Sequence, residues 1–143
     1  MKSSDCVIYT GIDIVEIARI KRAVERWGDR FVQRIYSPAE IALCAGRIES
    51  LAARWAAKEA VAKLLGVGMR GPGSSAHSVA FRDIETLTDD DGRPTVTLSG
   101  AARARARELH IDSISISLSH DYGLAIAVAI ASASSAARRR MPW

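Results

Sequence analysis

The stretch Arg54–Gly66, RWAAKEAVAKLLG, predicts the long helix around which the rest of the fold is built. Its periodicity extends the helix back to about residue 50, and Gly66 is the type of residue that ends a helix in the left-handed conformation. On a helical wheel the large apolar residues lie opposite a stripe of small ones, namely Val61, Leu64 and Leu65 against Ala52, Ala56 and Ala60 (the alanine stripe). A helix that is apolar nearly all round is normally buried, so its charged residues, Lys58, Glu59 and Lys63, need a physical reason.

The segments before this helix predict a strand and two shorter helices. Residues 7–17, VIYTGIDIVEI, are rich in β-branched residues and predict a mostly buried strand, which Asp13 interrupts. An amphipathic helix follows over about residues 15–27, with apolar residues on one face and arginines on the other. Ser37, Pro38 and Glu40 form a helix-start signal with a capping box, so a second helix is predicted from Pro38 to about residue 45.

The segments after the long helix alternate between strand and turn signals. SVAFRDIETLT and TVTLS predict two strands around the turn DDDGRP, and GAARARARELH predicts a helix that begins near Gly100. DSISISLSH and GLAIAVAIA predict two further strands joined at HDYG. We therefore expect an α+β fold, in which an antiparallel-rich sheet packs against the long central helix and the shorter helices.

Length and composition predict one soluble, cytoplasmic domain. The chain has 143 residues, enough for a single core, and we divide it into a domain of residues 1–131 and a basic, flexible tail of residues 132–143. Its two cysteines lack the spacing of a metal site or a disulfide framework, which favours a reducing compartment. We find no membrane-spanning run and no signal-peptide pattern. The net charge of +4 favours acidic or phosphorylated partners.

Two interpretations of the charged helix residues are open from spacing alone. Glu59 and Lys63 have the favourable order for an i,i+4 ion pair, which contributes only about 0.2–0.5 kcal/mol. Alternatively, Glu59 binds a divalent cation and Lys63 contacts phosphate oxygens, while the alanine stripe leaves room for a bound group or a close partner. Lys58 is expected to extend its ammonium group to solvent.

Asp13 is the candidate for the second carboxylate that a magnesium site needs. It lies in the predicted strand close to Gly11, whose missing side chain would let a ligand approach the backbone. The alternative is local, because Asp13 and Glu16 also fit a capping box at the start of the first helix. Both roles are compatible with the local sequence.

Five segments together resemble the holo-acyl-carrier-protein synthases, the small class of 4′-phosphopantetheinyl transferases. They are, in order, GIDIVEIARI, FVQRIYSPAEI, RWAAKEAVAKLLG, FRDIE with DGRPTVTLSG, and SISLSHDYGLAIA, and the resemblance extends from about Val7 to Ala129. It implies Mg²⁺-dependent transfer of 4′-phosphopantetheine from coenzyme A to a serine hydroxyl of an apo acyl carrier protein, with release of adenosine 3′,5′-bisphosphate. It also implies a role in fatty acid biosynthesis and lipid metabolism.

The resemblance assigns roles to individual residues. Asp13 and Glu59 match the family's magnesium ligands and Lys63 matches its phosphate-contacting lysine, so these three are the implied catalytic residues. Arg54 and His120 match positions that contact the coenzyme A nucleotide, although His120 by itself also fits a core or turn histidine. The base that takes the serine proton is either Glu59 or a water on the magnesium ion.

The resemblance also assigns the basic first helix and the last two strands. Arg19, Arg22 and Arg26 recur at i, i+3 and i+7, and the family docks acidic carrier proteins on this helix; a solvated helix face is the alternative. Family members are homotrimers with active sites between subunits, so SISISL and LAIAVAIA are expected to form a trimer contact or the monomer core. Two residues depart from the common pattern and affect the expected coenzyme A contacts: Ser115 replaces a histidine and Phe81 a tryptophan.

Two other function classes are alternatives to an enzyme. A nucleic-acid-binding module would explain the net charge and the arginines of AARARARELH, but the few aromatic residues do not alternate with basic ones as a stacking surface requires. A non-catalytic scaffold of the same fold would bind carrier proteins without transferring anything, yet Asp13, Glu59 and Lys63 are all present. We therefore expect a transferase without a nucleic-acid or membrane partner.

Overall fold

The computed structural model describes residues 6–71, 74 and 76–134 and shows an α+β fold. The elements in chain order are β1 (Cys6–Glu16), α1 (Ile17–Trp27), α2 (Asp29–Ile35), α3 (Pro38–Cys44), α4 (Ile48–Leu65), a 3₁₀ turn (Phe81–Asp83), β2 (Ile84–Thr88), β3 (Pro94–Leu98), α5 (Gly100–Glu108), β4 (Ser115–Asp121) and β5 (Leu124–Ser134). An antiparallel sheet in the order β1-β5-β4 packs against α4, and β2 and β3 form a separate hairpin. The predicted antiparallel sheet on a long central helix is confirmed.

The strand β1 extends beyond Asp13, so Asp13 cannot be the N-cap of α1. β1 pairs with β5 as far as Glu16 opposite Leu124, and α1 begins only at Ile17. Glu16 occupies the N-cap position, where it makes no side-chain cap hydrogen bond. The capping-box interpretation of Asp13 and Glu16 is therefore wrong, because Asp13 lies well inside the strand.

The sequence correctly predicts helix ends where the capping residue belongs to the helix that it caps. The Ser37 side chain accepts a hydrogen bond from the Glu40 N–H, and the Glu40 carboxylate accepts one from the Ser37 N–H, which confirms the capping box. Gly66 ends α4 with φ 68°, as predicted. The short helix α2 was missed.

The end of β5 overlaps the predicted tail. The strand reaches Ser134, which is opposite Cys6, so residues 132–134 belong to the sheet and not to the tail. The rest of the predicted tail, residues 135–143, lies outside the described residues.

The sheet and the helix α4 approach each other closely at Gly11. A Cβ placed there would lie 1.9 Å from the Ala60 carbonyl oxygen and 2.8 Å from the Leu64 nitrogen. The backbone of α4 therefore fills the space beside Gly11, and the expectation of a ligand there is wrong. Asp13 lies two residues further along the same strand face, so this contact brings it to α4 as well.

The helix α4 is more deeply buried than its charges suggested. Ala52, Ala56 and Ala60 are all fully buried, and Gly11 of β1 packs against Ala60. The alanine stripe therefore accommodates a close partner, as one alternative expected, and leaves no room for a bound group such as a nucleotide. Lys58 has no exposed surface either, and the expectation that it extends to solvent is wrong.

The sheet face that points away from α4 is apolar and open. Its isoleucines are between 37% and 61% exposed: Ile8, Ile12, Ile14, Ile126 and Ile130. Ile14 and Ile126 are direct cross-strand partners, so the exposed side chains form one contiguous patch. Among the described residues, none of the helices has the length and apolar character that crossing a membrane requires.

Candidate active site

The strand β1 and the second half of α4 bring Asp13, Glu59 and Lys63 together. The Lys63 ammonium donates to Asp13 Oδ1 at 2.8 Å and to the Ile12 carbonyl at 3.0 Å. The Asp13 side chain is 14% exposed and that of Lys63 54% exposed. Lys63 therefore makes its ion pair with Asp13 on the neighbouring strand, which corrects the interpretation of a local pair with Glu59.

Glu59 is half-buried, and its surroundings oppose its negative charge. Burial raises the pKa of the Glu59 carboxyl, and the nearby Asp13 carboxylate raises it further, while Lys63 and Arg19 act in the opposite direction. Since Asp13 contributes to this shift, the two carboxylates share one electrostatic environment. A divalent cation between them would relieve their repulsion.

The donor set fits magnesium. The part of the chain that the structure describes contains no group of three or more His, Cys, Asp or Glu residues that could hold a metal, so a site built from protein ligands alone is not present there. Magnesium is usually bound by one or two carboxylates and completes its shell with waters and substrate phosphates. Asp13 and Glu59 are a pair of this kind, and the half-exposed ammonium of Lys63 lies beside Asp13.

The basic face of α1 adjoins these residues. Arg19, Arg22 and Arg26 are exposed, which both a docking face and a solvated helix face predict. The Arg19 guanidinium lies 5.7 Å from the centre of the Trp55 ring, and Arg26 lies 4.8 Å from that of Trp27. Because Arg19 also lowers the pKa of Glu59, α1 is close enough to influence the carboxylate pair.

An aromatic cluster supports α4 next to this face. The ring of Trp55 stacks on Phe31 with centroids 5.9 Å apart, and Phe81 lies 4.6 Å from it. Phe81, which departs from the family pattern, is thus part of the packing beneath α1. Ser115, the other departure, is exposed on β4 opposite Ile130 and belongs to the outer sheet face.

His120 lies in a separate cleft at the other end of α4. The cleft has a volume of about 740 Å³ and is lined by Ile17, Arg47, Glu49, Ser50, His120, Asp121, Tyr122 and Gly123. Ser50 and Glu59 are nine residues apart on α4, a distance of about 13 Å at the rise of an α-helix. Within one subunit, the structure therefore does not bring His120 to the carboxylates.

Arg47 is a cleft residue that the sequence analysis missed. It occupies the N-cap position of α4 and donates to Ser50 Oγ at 3.2 Å and to the Leu43 carbonyl at 2.9 Å. A cation at the positive end of a helix is electrostatically unfavourable, and this conflict is the signal that could have pointed to it.

Arg54 points into the protein. It is 7% exposed and donates to the Ser50 carbonyl at 3.3 Å, and its buried Nε has no hydrogen-bond partner in the part of the chain that the structure describes. Its charge affects Tyr36 and Cys44, both buried, by lowering their pKa values against the stronger effect of burial. Arg54 and Glu59 point about 140° apart around α4, so Arg54 is not part of the carboxylate cluster.

Comparison with known proteins agrees with these features. Residues 9–127 match the family model of the 4′-phosphopantetheinyl transferase superfamily. The holo-[acyl-carrier-protein] synthase of Roseiflexus sp. (strain RS-1) is 96% identical over 95% of this chain and 99% of its own, and that of Roseiflexus castenholzii is 74% identical over 96% of this chain and 100% of its own. The crystal structure of Helicobacter pylori holo-[acyl-carrier-protein] synthase in complex with coenzyme A superimposes with a TM-score of 0.74 at 39% identity, covering 85% of this chain and 98% of that one. On the fold, the site and these similarities together, the chain belongs to the 4′-phosphopantetheinyl transferase superfamily.

Proposed function

We propose that this protein is a holo-[acyl-carrier-protein] synthase, which transfers 4′-phosphopantetheine from coenzyme A to a serine of an apo acyl carrier protein and releases adenosine 3′,5′-bisphosphate. The observation that carries the proposal is the meeting of Asp13, Glu59 and Lys63 at one place in a fold shared with synthases, one of them solved with coenzyme A. Similarity to named relatives does not by itself identify an active site. The cluster of Asp13, Glu59 and Lys63 adds the carboxylates and the cation that the reaction needs.

The reaction breaks a pyrophosphate bond, so its main requirement is compensation of negative charge. We propose that Asp13 and Glu59 hold Mg²⁺, which when bound neutralises phosphate oxygens and orients the substrate. The Lys63 side chain is half-exposed, and its ammonium is positioned to contact phosphate oxygens. Glu59 is also a candidate for the group that accepts the serine proton.

We propose that the exposed arginines of α1 bind the acidic carrier protein. Arg19 lies against Trp55 and influences Glu59, so a carrier protein on this face would present its serine near the carboxylates. Electrostatic docking of this kind acts mainly on association.

Changing Arg22 and Arg26 to glutamate should raise KM for the carrier protein and make that KM less dependent on salt concentration. Unchanged values would exclude this docking face.

We propose that the protein is a homotrimer whose sites lie between subunits. The patch of exposed isoleucines on the outer sheet face is the support, because large apolar surfaces on soluble proteins usually mark interfaces. In such a trimer, His120 and Arg47 of one subunit would be available to the carboxylates of another.

Light scattering should give a mass three times the 15.4 kDa of one chain. A monomer at micromolar concentration would contradict the proposed trimer.

The proposed location is a reducing cytoplasm, and the proposed pathway is fatty acid biosynthesis. Cys6 and Cys44 are both free thiols, and Cys6 is exposed, which fits a compartment that keeps thiols reduced.

The transfer reaction is tested by incubating the protein with coenzyme A, Mg²⁺ and apo acyl carrier proteins, followed by intact mass spectrometry. We expect each accepted carrier protein to gain the mass of one phosphopantetheine. Omitting coenzyme A is the control. No mass gain on any of several carrier proteins, including that of fatty acid synthesis, would refute the proposed function.

A further inference from the structure

Lys58, the residue before Glu59, lies at the centre of a fully buried polar cluster. Its ammonium donates to Glu40 Oε2 at 2.8 Å, to the Phe81 carbonyl at 3.0 Å and to the Ile84 carbonyl. Neither charged side chain has any exposed surface. A lysine ammonium has three N–H donors, so each of them has an acceptor here.

Glu40 connects the same cluster to two further elements. Its Oε2 accepts the Ser37 N–H at 2.8 Å, and its Oε1 accepts the Thr86 N–H at 2.8 Å. One carboxylate therefore joins the N-terminus of α3, the middle of α4 and the strand β2. The role of Glu40 as a helix cap was predictable, but its contacts with Lys58 and Thr86 were not.

A buried ion pair of this kind is a poor means of gaining stability. Removing two charges from water is costly, and apolar pairs of similar volume often stabilise a protein as well or better. What directional hydrogen bonds supply is a preference for one geometry, because a shift of α4 would lengthen or misalign the contacts of Lys58 with acceptors on three other elements. The close packing of Gly11 in β1 against Ala60 in α4 also restricts the movement of α4 near Lys58.

We propose that Lys58 and Glu40 are positioning residues, which hold α4 in the register that presents Glu59 and Lys63 to Asp13. This inference rests on the proposed transfer function. Glu59 follows Lys58 directly, about 100° further around the helix, so a rotation of α4 at Lys58 would move Glu59 relative to β1. A misplacement of about 1 Å in such a site can cost about 100-fold in rate.

The test is a double-mutant cycle of Glu40→Gln and Lys58→Met with two readouts, kcat at saturating substrates and the Kd of Mn²⁺ for the free protein. We expect each single variant to lower kcat about 10-fold to 100-fold and to weaken Mn²⁺ binding several-fold. The double variant should be no worse than the poorer single one, because the two residues act as one unit. Glu40→Gln is nearly isosteric and keeps Lys58, so it provides the test if Lys58→Met fails to fold.

The control is Glu108→Gln, which breaks an exposed ion pair on α5 whose charged atoms, in Arg105 and Glu108, are 2.9 Å apart. It should leave both readouts unchanged. A purely structural role for Lys58 would lower the melting temperature while kcat and the Mn²⁺ Kd of the folded variants stay within twofold of wild type, and that result would overturn the inference. Transfer by the wild type in the same assay upholds the proposed function whatever the variants do, so the two failures are distinguishable.

Discussion

Replacing Glu59 with glutamine is expected to lower kcat about 10²–10³-fold and to abolish the response of the rate to Mg²⁺. The substitution keeps the shape of the side chain but removes the charge that we assign to metal binding. Asp13→Asn should act in the same way, because both carboxylates belong to one cation site. The measurement is the initial rate of carrier-protein modification as a function of Mg²⁺ concentration.

The same substitution should leave the fold intact. Burial and Asp13 raise the pKa of Glu59 in the folded protein, so protonation of this group favours the folded state. Its contribution to stability is present below its ordinary pKa of 4.5 and is lost as the pH rises through the raised value. Without metal, Glu59→Gln should therefore leave the free energy of unfolding near pH 7 unchanged or raise it.

Glu108→Gln, at an exposed residue on α5, is the control for the rate measurement and for the stability measurement. If Glu59→Gln and Asp13→Asn remain active at low Mg²⁺, the metal assignment is wrong.

Replacing Gly11 with alanine is expected to be the most destabilising single-methyl change in the sheet. The added Cβ would overlap the Ala60 carbonyl oxygen at 1.9 Å, and the obstacle is backbone, which cannot rotate away as a side chain can. Separating β1 from α4 would disturb the core and the Asp13–Lys63 contact together. We expect a loss of about 3 kcal/mol or more, a large part of the stability of a small domain.

Thermal unfolding followed by circular dichroism measures this effect. Gly68→Ala is the matched control, because a Cβ at Gly68 would have none of the described residues within 4 Å, and it should change the free energy of unfolding by less than about 1 kcal/mol. If Gly11→Ala unfolds within a few degrees of wild type, β1 and α4 do not pack as closely as described.

Much of the fold was predictable because local signals determine it. The capping box at Ser37 and the terminal Gly66 act within one helix, and alternation along the chain is sufficient to identify most strands. The strand predicted over residues 7–17 is confirmed as Cys6–Glu16, but its boundary with the first helix, expected at about residue 15, was not predictable, because it is set by pairing of Glu16 with Leu124, a residue far along the chain. The α2 helix was missed, since it has only seven residues and its N-cap, Gly28, makes no side-chain cap hydrogen bond.

The site was predictable in its residues but not in its contacts. Asp13, Glu59 and Lys63 stood out as charges in buried elements, a family resemblance then gave them roles, and the structure brings them together. A helical wheel cannot say what covers each face of a helix, so it misplaced the alanine stripe and Lys58. The acceptors of Lys58 come from residues 40, 81 and 84, which only tertiary packing brings to it.

A crystal structure of the protein with coenzyme A and Mn²⁺ would test the assignment of the site most directly, because Mn²⁺ can be located by its anomalous scattering. We expect one Mn²⁺ per site, bound by carboxylate oxygens of both Asp13 and Glu59 at about 2.1 Å, with Lys63 on the pyrophosphate. A Mn²⁺ ion that binds coenzyme A without touching either carboxylate, or that binds elsewhere, would contradict the assignment.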